Sequence, residues 1–219
     1  MTFKKINTFL VACVVIVTAC TNQKQQNDEK QPDNEKQEGN EWISLFDGES
    51  LEGWQASENK GTFTVENGTI KIDGDRSHLF YVGPVAQHDF KNFEFKASIM
   101  TKPGANSGMF FHTEYQETGW PSKGIEVQVN NTQSDWRRTG SLYAIQDIRD
   151  TLAQDDQWFT QHIIVKDNKV TVKLNDEVIN EYTEPLSDSS RISRGTFALQ
   201  GHDPDSKVFY KDVMVKVLE

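Results

Sequence analysis

Cysteine is nearly missing from this chain: only Cys13 and Cys20 occur, both within the first twenty of its 219 residues. The rest therefore holds neither an internal disulfide nor a Cys-rich zinc site, and a metal would need His, Asp or Glu as ligands. Positive charge is also scarce. Lys and Arg number 23 against 33 Asp and Glu, a net charge of −10, which repels a phosphate backbone and argues against nucleic acid as a partner. No apolar run is long enough for a membrane-spanning helix, helical periodicity is nowhere sustained, and no internal repeat appears. Glycine-rich phosphate loops and a serine-centred nucleophile elbow are lacking too, and no motif implies a cofactor.

What is present begins with an address. Lys4 and Lys5 precede the apolar run Phe9 to Val17, too short for a bilayer of about 30 Å but right for the core of a signal peptide. The run ends in Val17-Thr18-Ala19-Cys20, which resembles the bacterial lipobox, where small residues precede a cysteine that is lipidated and becomes the mature N-terminus. Residues 21–40 are polar or charged apart from one Pro and one Gly, so they cannot offset their own ordering entropy. This gives a signal peptide over 1–19, a lipidated Cys20 with a polar tether over 20–40, and a folded domain over 41–219. A flexible tether of that length reaches roughly 25 Å. The expected location is the cell envelope, with the membrane touched only through lipid, because so acidic a chain offers no basic patch to an anionic surface.

The folded part reads as all-β. Asn67-Gly68 separates two alternating runs, 62–65 and 69–72, the strongest short-range hairpin signal. A second hairpin is expected from 170–174 and 178–182 through Asn175-Asp176-Glu177. Further alternating runs cover 92–100, 107–113, 125–130, 162–166, 196–202 and 208–218, with short helical turns near 150–156 and 187–192. Many strands without βαβ alternation argue for a two-sheet antiparallel jelly-roll sandwich.

Period-two alternation then sorts side chains by face. In the strand 125–130 the aliphatics share one face, leaving Glu126, Gln128 and Asn130 on the other. The same rule sets Gln200 and His202 outward together, and His112 with Glu114 beside Phe110. Antiparallel sheets commonly wet one face, but a merely solvated face carries Lys, Thr and Glu. Amides and imidazoles with Tyr143, Trp120 and Trp136 nearby suit hydrogen bonding to sugar hydroxyls and stacking on sugar rings.

The runs Trp42-Ile43-Ser44-Leu45-Phe46-Asp47-Gly48, Leu51-Glu52-Gly53-Trp54, Asn106-Ser107-Gly108-Met109-Phe110-Phe111, Glu126-Val127-Gln128, Gly140-Ser141-Leu142-Tyr143 and Leu199-Gln200-Gly201-His202 resemble, in order and spacing over about 42–217, the 3-keto-disaccharide hydrolase domain family. The resemblance implies a concanavalin A-like lectin/glucanase sandwich and cleavage of glycosides already oxidised to a ketone at C3. Three positions depart from the family pattern: His112 replaces a frequent Arg, Asn130 a frequent Asp, and Tyr210-Lys211-Asp212 the usual Phe-Arg-Asn.

Glucanases on this type of sandwich use Glu-x-Asp-x-x-Glu, with two carboxylates about 5 Å apart. The corresponding frame here is Glu126, Gln128 and Asn131, which disfavours double displacement unless Asp203, Asp205 or Glu114 supplies the second acid. A 3-keto sugar needs less, since its ketone acidifies the C2 proton and one base with one acid suffices. Glu126 and His202 form the expected catalytic pair, with Gln128, Gln200, Tyr143, His112, Asn130, Trp120 and Trp136 as substrate-binding candidates. A divalent ion held by His112, Glu114, Glu126 and His202 is a further option. Three function classes stay open: an enzyme on 3-keto-glycosides, a non-catalytic carbohydrate-binding lipoprotein, and a structural sandwich. Cys20→Ser is expected to move the protein from the membrane to the soluble fraction, since no second anchor is visible; retention on salt-washed membranes would refute lipid attachment there.

Overall fold

The computed structural model describes residues 41–185 and 191–219, besides Met1. The expected signal peptide, Cys20, the tether and most of the helical turn expected near 187–192 lie outside the described residues. Thirteen strands follow in order: β1 (Ile43–Ser44), β2 (Trp54–Ala56), β3 (Phe63–Glu66), β4 (Thr69–Asp73), β5 (Ser77–Tyr81), β6 (Asn92–Thr101), β7 (Asn106–Thr113), β8 (Ile125–Asn130), β9 (Phe159–Lys166), β10 (Lys169–Leu174), β11 (Glu177–Thr183), β12 (Thr196–Gly201) and β13 (Lys207–Leu218). One sheet runs β11-β10-β9-β6-β13-β4-β3 with β1 added beside β13, and the other runs β2-β5-β12-β7-β8. Every ladder is antiparallel. This is the expected jelly-roll sandwich.

Both hairpins form where the turn chemistry demands. Asn67 and Gly68 take φ of 50° and 76°, and Asn175 and Asp176 take 48° and 70°, two left-handed residues in a row, as a type I′ turn requires. Glu177 belongs to β11, so the second loop has two residues, one fewer than the sequence reading gave it. The helical turn expected near 150–156 does not form. Asp155 accepts from the Thr101 and Thr132 hydroxyls, and the Asp156 N–H donates to the Thr101 carbonyl at 2.8 Å, so the segment satisfies its polar groups across the domain rather than along itself.

The sheets differ in how they are covered. β6 alternates buried and half-buried residues along its length, with one face on the core and the other at solvent. In the five-stranded sheet β5, β7 and β12 are buried at every residue. Its inner face meets the other sheet through an aromatic stack, Phe197 lying 4.4 Å from Phe90 and 4.1 Å from Phe95 between ring centroids, near the close end of aromatic packing. Its outer face is covered by loops and carries the small apolar cluster Phe80, Phe110 and Ala198. A wetted outer face is thereby excluded for these strands.

His112 corrects the alternation. Thr113 stands opposite Thr196 but Phe110 opposite Ala198, so β7 holds one residue more than β12 there, and His112 has φ of 53°. This β-bulge re-aims the side chain. His112 is wholly buried, edge-on to Phe93 and Phe111, accepting from the Ser193 N–H at Nδ1 and donating from Nε2 to the Lys91 carbonyl. Burial depresses its pKa from 6.5 to about 4. The unfolded chain takes up a proton that the folded chain refuses, so stability is complete above about 6.5 and falls as pH drops towards 4. We expect urea unfolding to show that loss. His112→Asn should lower stability at neutral pH by about 1–3 kcal/mol and flatten the acid dependence; an unchanged pH profile would contradict this assignment.

Candidate functional site

Outward side chains of the five-stranded sheet fall into rows. Across the ladders His78 faces Gln200, Phe80 faces Ala198, Ala198 faces Phe110, Phe110 faces Glu126, Gly108 faces Gln128 and Asn106 faces Asn130. Over these rows lies a cleft of about 380 Å³ lined by Asn106, Phe110, Trp120, Glu126, Gln128, Asp135, Tyr143, Arg191, Gln200 and His202, among others. The volume suits a small molecule.

Glu126 is at its centre, and the motif residues around it explain its position. A Cβ on Gly108 would lie 2.4 Å from Glu126 Oε1, so only glycine there lets the carboxyl lie down across β7. Gln200 donates from Nε2 to Glu126 Oε1 at 2.9 Å. Segment 139–143 closes the β8 edge as a strand-like partner: the Tyr143 N–H donates to the Glu126 carbonyl at 3.0 Å and the Gly140 N–H to the Gln128 carbonyl at 2.9 Å, which brings the Tyr143 ring to the cleft. Desolvation raises the Glu126 pKa from 4.5 to about 8, against the opposing hydrogen bond from Gln200 and with added repulsion from Asp135.

Amides complete the floor. Gln128 Nε2 donates to Asn106 Oδ1 at 2.6 Å. The Oε1 atoms of Gln128 and Gln200 are buried without a protein partner. Behind them, Ser107 donates to the Gln200 carbonyl at 2.6 Å and shares a hydrogen bond of 2.8 Å with the hydroxyl of Tyr210. His202 follows β12 directly, and its Nδ1 lies 2.5 Å from Asp203 Oδ2, which leaves Nε2 for a ligand. Burial opposes ionisation of Asp203, but the hydrogen bond and charge of His202 hold its carboxyl below the ordinary value.

Of the residues expected from sequence, Glu126, Gln128, Gln200, His202, Tyr143 and Trp120 all line the cleft. His112 does not, for the reason given above. Asn130 is drawn into its own loop: Nδ2 donates to the Asp135 and Arg137 carbonyls, and Oδ1 accepts from the Gln133 N–H and Arg138 Nη1. Trp136 is half-exposed outside the lining, with Arg149 at 3.9 Å over its ring and Arg137 at 4.8 Å. Glu114 pairs with Lys123 at 3.2 Å, so the four expected metal ligands do not converge. Among the described residues no three His, Cys, Asp or Glu side chains gather as a metal site would require. Sequence reasoning overlooked Asn106, Asp135 and Arg191. Asn106 shares its face with Gly108 and Phe110 and was open to the same alternation rule, whereas Asp135 and Arg191 lie in loops with no period.

A family model for the 3-keto-alpha-glucoside-1,2-lyase-like domain matches residues 41–216. A protein of Bacteroides thetaiotaomicron called 3-keto-disaccharide hydrolase is 25% identical, the match covering 81% of this chain and 79% of the relative. The fold resembles a Parabacteroides distasonis crystal structure provisionally assigned as a glycosyl hydrolase, at 24% identity and TM-score 0.69 over 86% of this chain and 98% of that one. It also resembles carbohydrate-binding module CBM66 of Bacillus subtilis, at 14% identity and TM-score 0.54 over 75% and 95%.

The raised pKa of Glu126 has a consequence for stability. Between 4.5 and about 8 the folded chain keeps a proton that the unfolded chain releases, so stability falls as pH rises through that window. Glu126→Gln escapes the loss. Its advantage over the native chain is expected to be small below the window and to grow to as much as about 5 kcal/mol above it, read from urea unfolding at pH values on both sides. A constant difference would mean that the carboxyl is solvated.

Proposed function

We propose, from the premise that this chain belongs to the 3-keto-alpha-glucoside-1,2-lyase-like domain family, that it cleaves glycosides carrying a ketone at C3, with Glu126 as base and His202 as proton donor. The observation that carries this reading is the Glu126 carboxyl, desolvated to a pKa of about 8 in a cleft it shares with His202. A base titrating near the working pH combines driving force with availability.

A Glu126 carboxylate oxygen takes the C2 proton, and the C–H electron pair moves into an enolate whose charge rests on the C3 oxygen. That pair returns, rebuilding the ketone and forming the C1–C2 double bond while the bond from C1 to the departing oxygen breaks. The leaving oxygen takes its proton from His202 Nε2. Asp203, bonded at Nδ1, fixes the orientation of the ring. Water then adds at C1, returning a proton to His202 Nε2, and C2 regains the proton held by Glu126. The printed name of the Bacteroides relative, a hydrolase, supports this last addition. Amides of Gln128, Gln200 and Asn106 would hold sugar hydroxyls, with Trp120 and Tyr143 against the rings. The same reading makes the protein a cell-envelope lipoprotein with a carbohydrate partner, held to the membrane by lipid on Cys20.

Glu126→Gln and His202→Ala should each lower the rate on a 3-keto-glucoside at least roughly a hundredfold, and kcat/KM of the native protein should rise with pH through about 8, where Glu126 ionises. A profile already flat through that pH would remove Glu126 as the base. Equal turnover of the unoxidised parent glucoside would overturn elimination and turn attention to Asp135 as a second carboxylate beside Glu126.

A further inference from the structure

One titratable group on the cleft face has no part in the chemistry above. His78 lies in β5 opposite Gln200, is wholly buried, and both of its ring nitrogens lack a hydrogen-bond partner. Buried polar groups are rarely left so, because each costs about 1–3 kcal/mol. Rings surround it: Phe110 at 5.4 Å and 89°, Trp120 at 5.6 Å and 76°, and Phe80 at 6.2 Å. Phe110 and Trp120 are themselves cleft residues, so the Trp120 indole is the partition between His78 and the cleft.

The backbone around that partition is tied down, while the indole reaches solvent. Trp120 is 46% exposed in the connection between β7 and β8. Its carbonyl accepts from Gln116 Nε2 at 2.8 Å, and the neighbouring Gly119 N–H donates to Glu58 Oε1 at 3.1 Å. The indole touches His78, His202 at 5.3 Å and the Arg76 guanidinium at 5.3 Å, contacts that a rotation of its side chain would break. Of the charged groups acting on His78, Arg76 is paired with Glu58 at 2.8 Å and His202 with Asp203 at 2.5 Å, which leaves no free charge to attract an anion. Burial keeps the imidazole neutral, with its pKa near 4, so it offers one N–H donor and one acceptor. A sugar hydroxyl, itself donor and acceptor, matches that pair.

We propose that His78 is a carbohydrate-binding residue of the cleft, reached when the Trp120 indole swings aside and then hydrogen-bonded to a hydroxyl of the bound sugar. The choice of ligand rests on the function proposed above. His78→Phe keeps the aromatic volume and removes both nitrogens. With methyl 3-keto-glucoside as substrate, KM is expected to rise about tenfold or more, with kcat changed far less and thermal stability equal or higher. The native His78 provides the second readout: the ¹⁵N signals of its ring should shift when saturating sugar is added to the full-length Glu126→Gln protein, which consumes it at least roughly a hundredfold more slowly. Trp120→Ala should raise the His78 pKa from about 4 towards 6.5. An unchanged KM in His78→Phe, or ring signals indifferent to sugar, would overturn the proposal and leave His78 as the host of a structural water. If the native protein turns over no 3-keto-glycoside, the functional reading fails separately. His78 is then judged by the same ring signals with maltose and cellobiose, and no shift with either overturns it.

Discussion

Taking one carboxyl group out of water is the constraint on which this structure turns. The Glu126 side chain can lie across β7 only because Gly108 has no Cβ to obstruct it. It holds that place through the amide of Gln200, one strand further on. Each of these relations depends on ladder register. Slipping β8 by one residue against β7 would send Glu126 into the core and Val127 into the cleft, since side chains alternate strictly. The pairing of segment 139–143 with β8 fixes that edge and supplies Tyr143 to the site in the same stroke.

The two sheets divide the tasks of stability and recognition. The larger one carries its exposed charges in pairs such as Lys71 with Asp73 and Lys169 with Glu181, exposed contacts that add little individually, and its strands alternate in the ordinary one-face-wet manner. The smaller one has its strands β5, β7 and β12 buried on both faces and places unpartnered amide oxygens and an unpartnered imidazole on its outer side. Those groups cost stability, and the aromatic stack of Phe90, Phe95 and Phe197 on its inner side offsets that cost. Local choices that weaken a fold while the rest of it is consistent are a mark of function.

Alternation could be read for the site because β8 and β12 run straight through it. It placed Glu126, Gln128, Gln200 and His202 on one face, and the cleft contains all four. It failed at His112, where one extra residue in β7 reverses the side-chain direction beyond it. It failed differently at Asn130, which has the expected position but spends its amide on four bonds to its own loop. Trp136 and Tyr143 looked alike as aromatic neighbours, yet only Tyr143 is tied to the β8 backbone. His78 went unnoticed although Leu79 and Tyr81 of its strand point inward, because Ser77 to Tyr81 ends in three consecutive apolar or aromatic residues that mask the two-residue period.

By itself the sequence determined the periodicity, the turns and the chemical inventory: Asn-Gly and Asn-Asp turns with left-handed backbone, strands whose apolar faces require two sheets, and a short set of acids, amides and imidazoles able to meet on one surface. These are local properties, set by backbone sterics and by the two-residue repeat of a strand. Tertiary structure alone decided which of those groups lose water and which find partners. The pKa of Glu126, the isolation of His78 and the diversion of His112 all arise from groups brought together across long stretches of chain. Desolvation is a sum over neighbours in space, and no spacing in sequence encodes it.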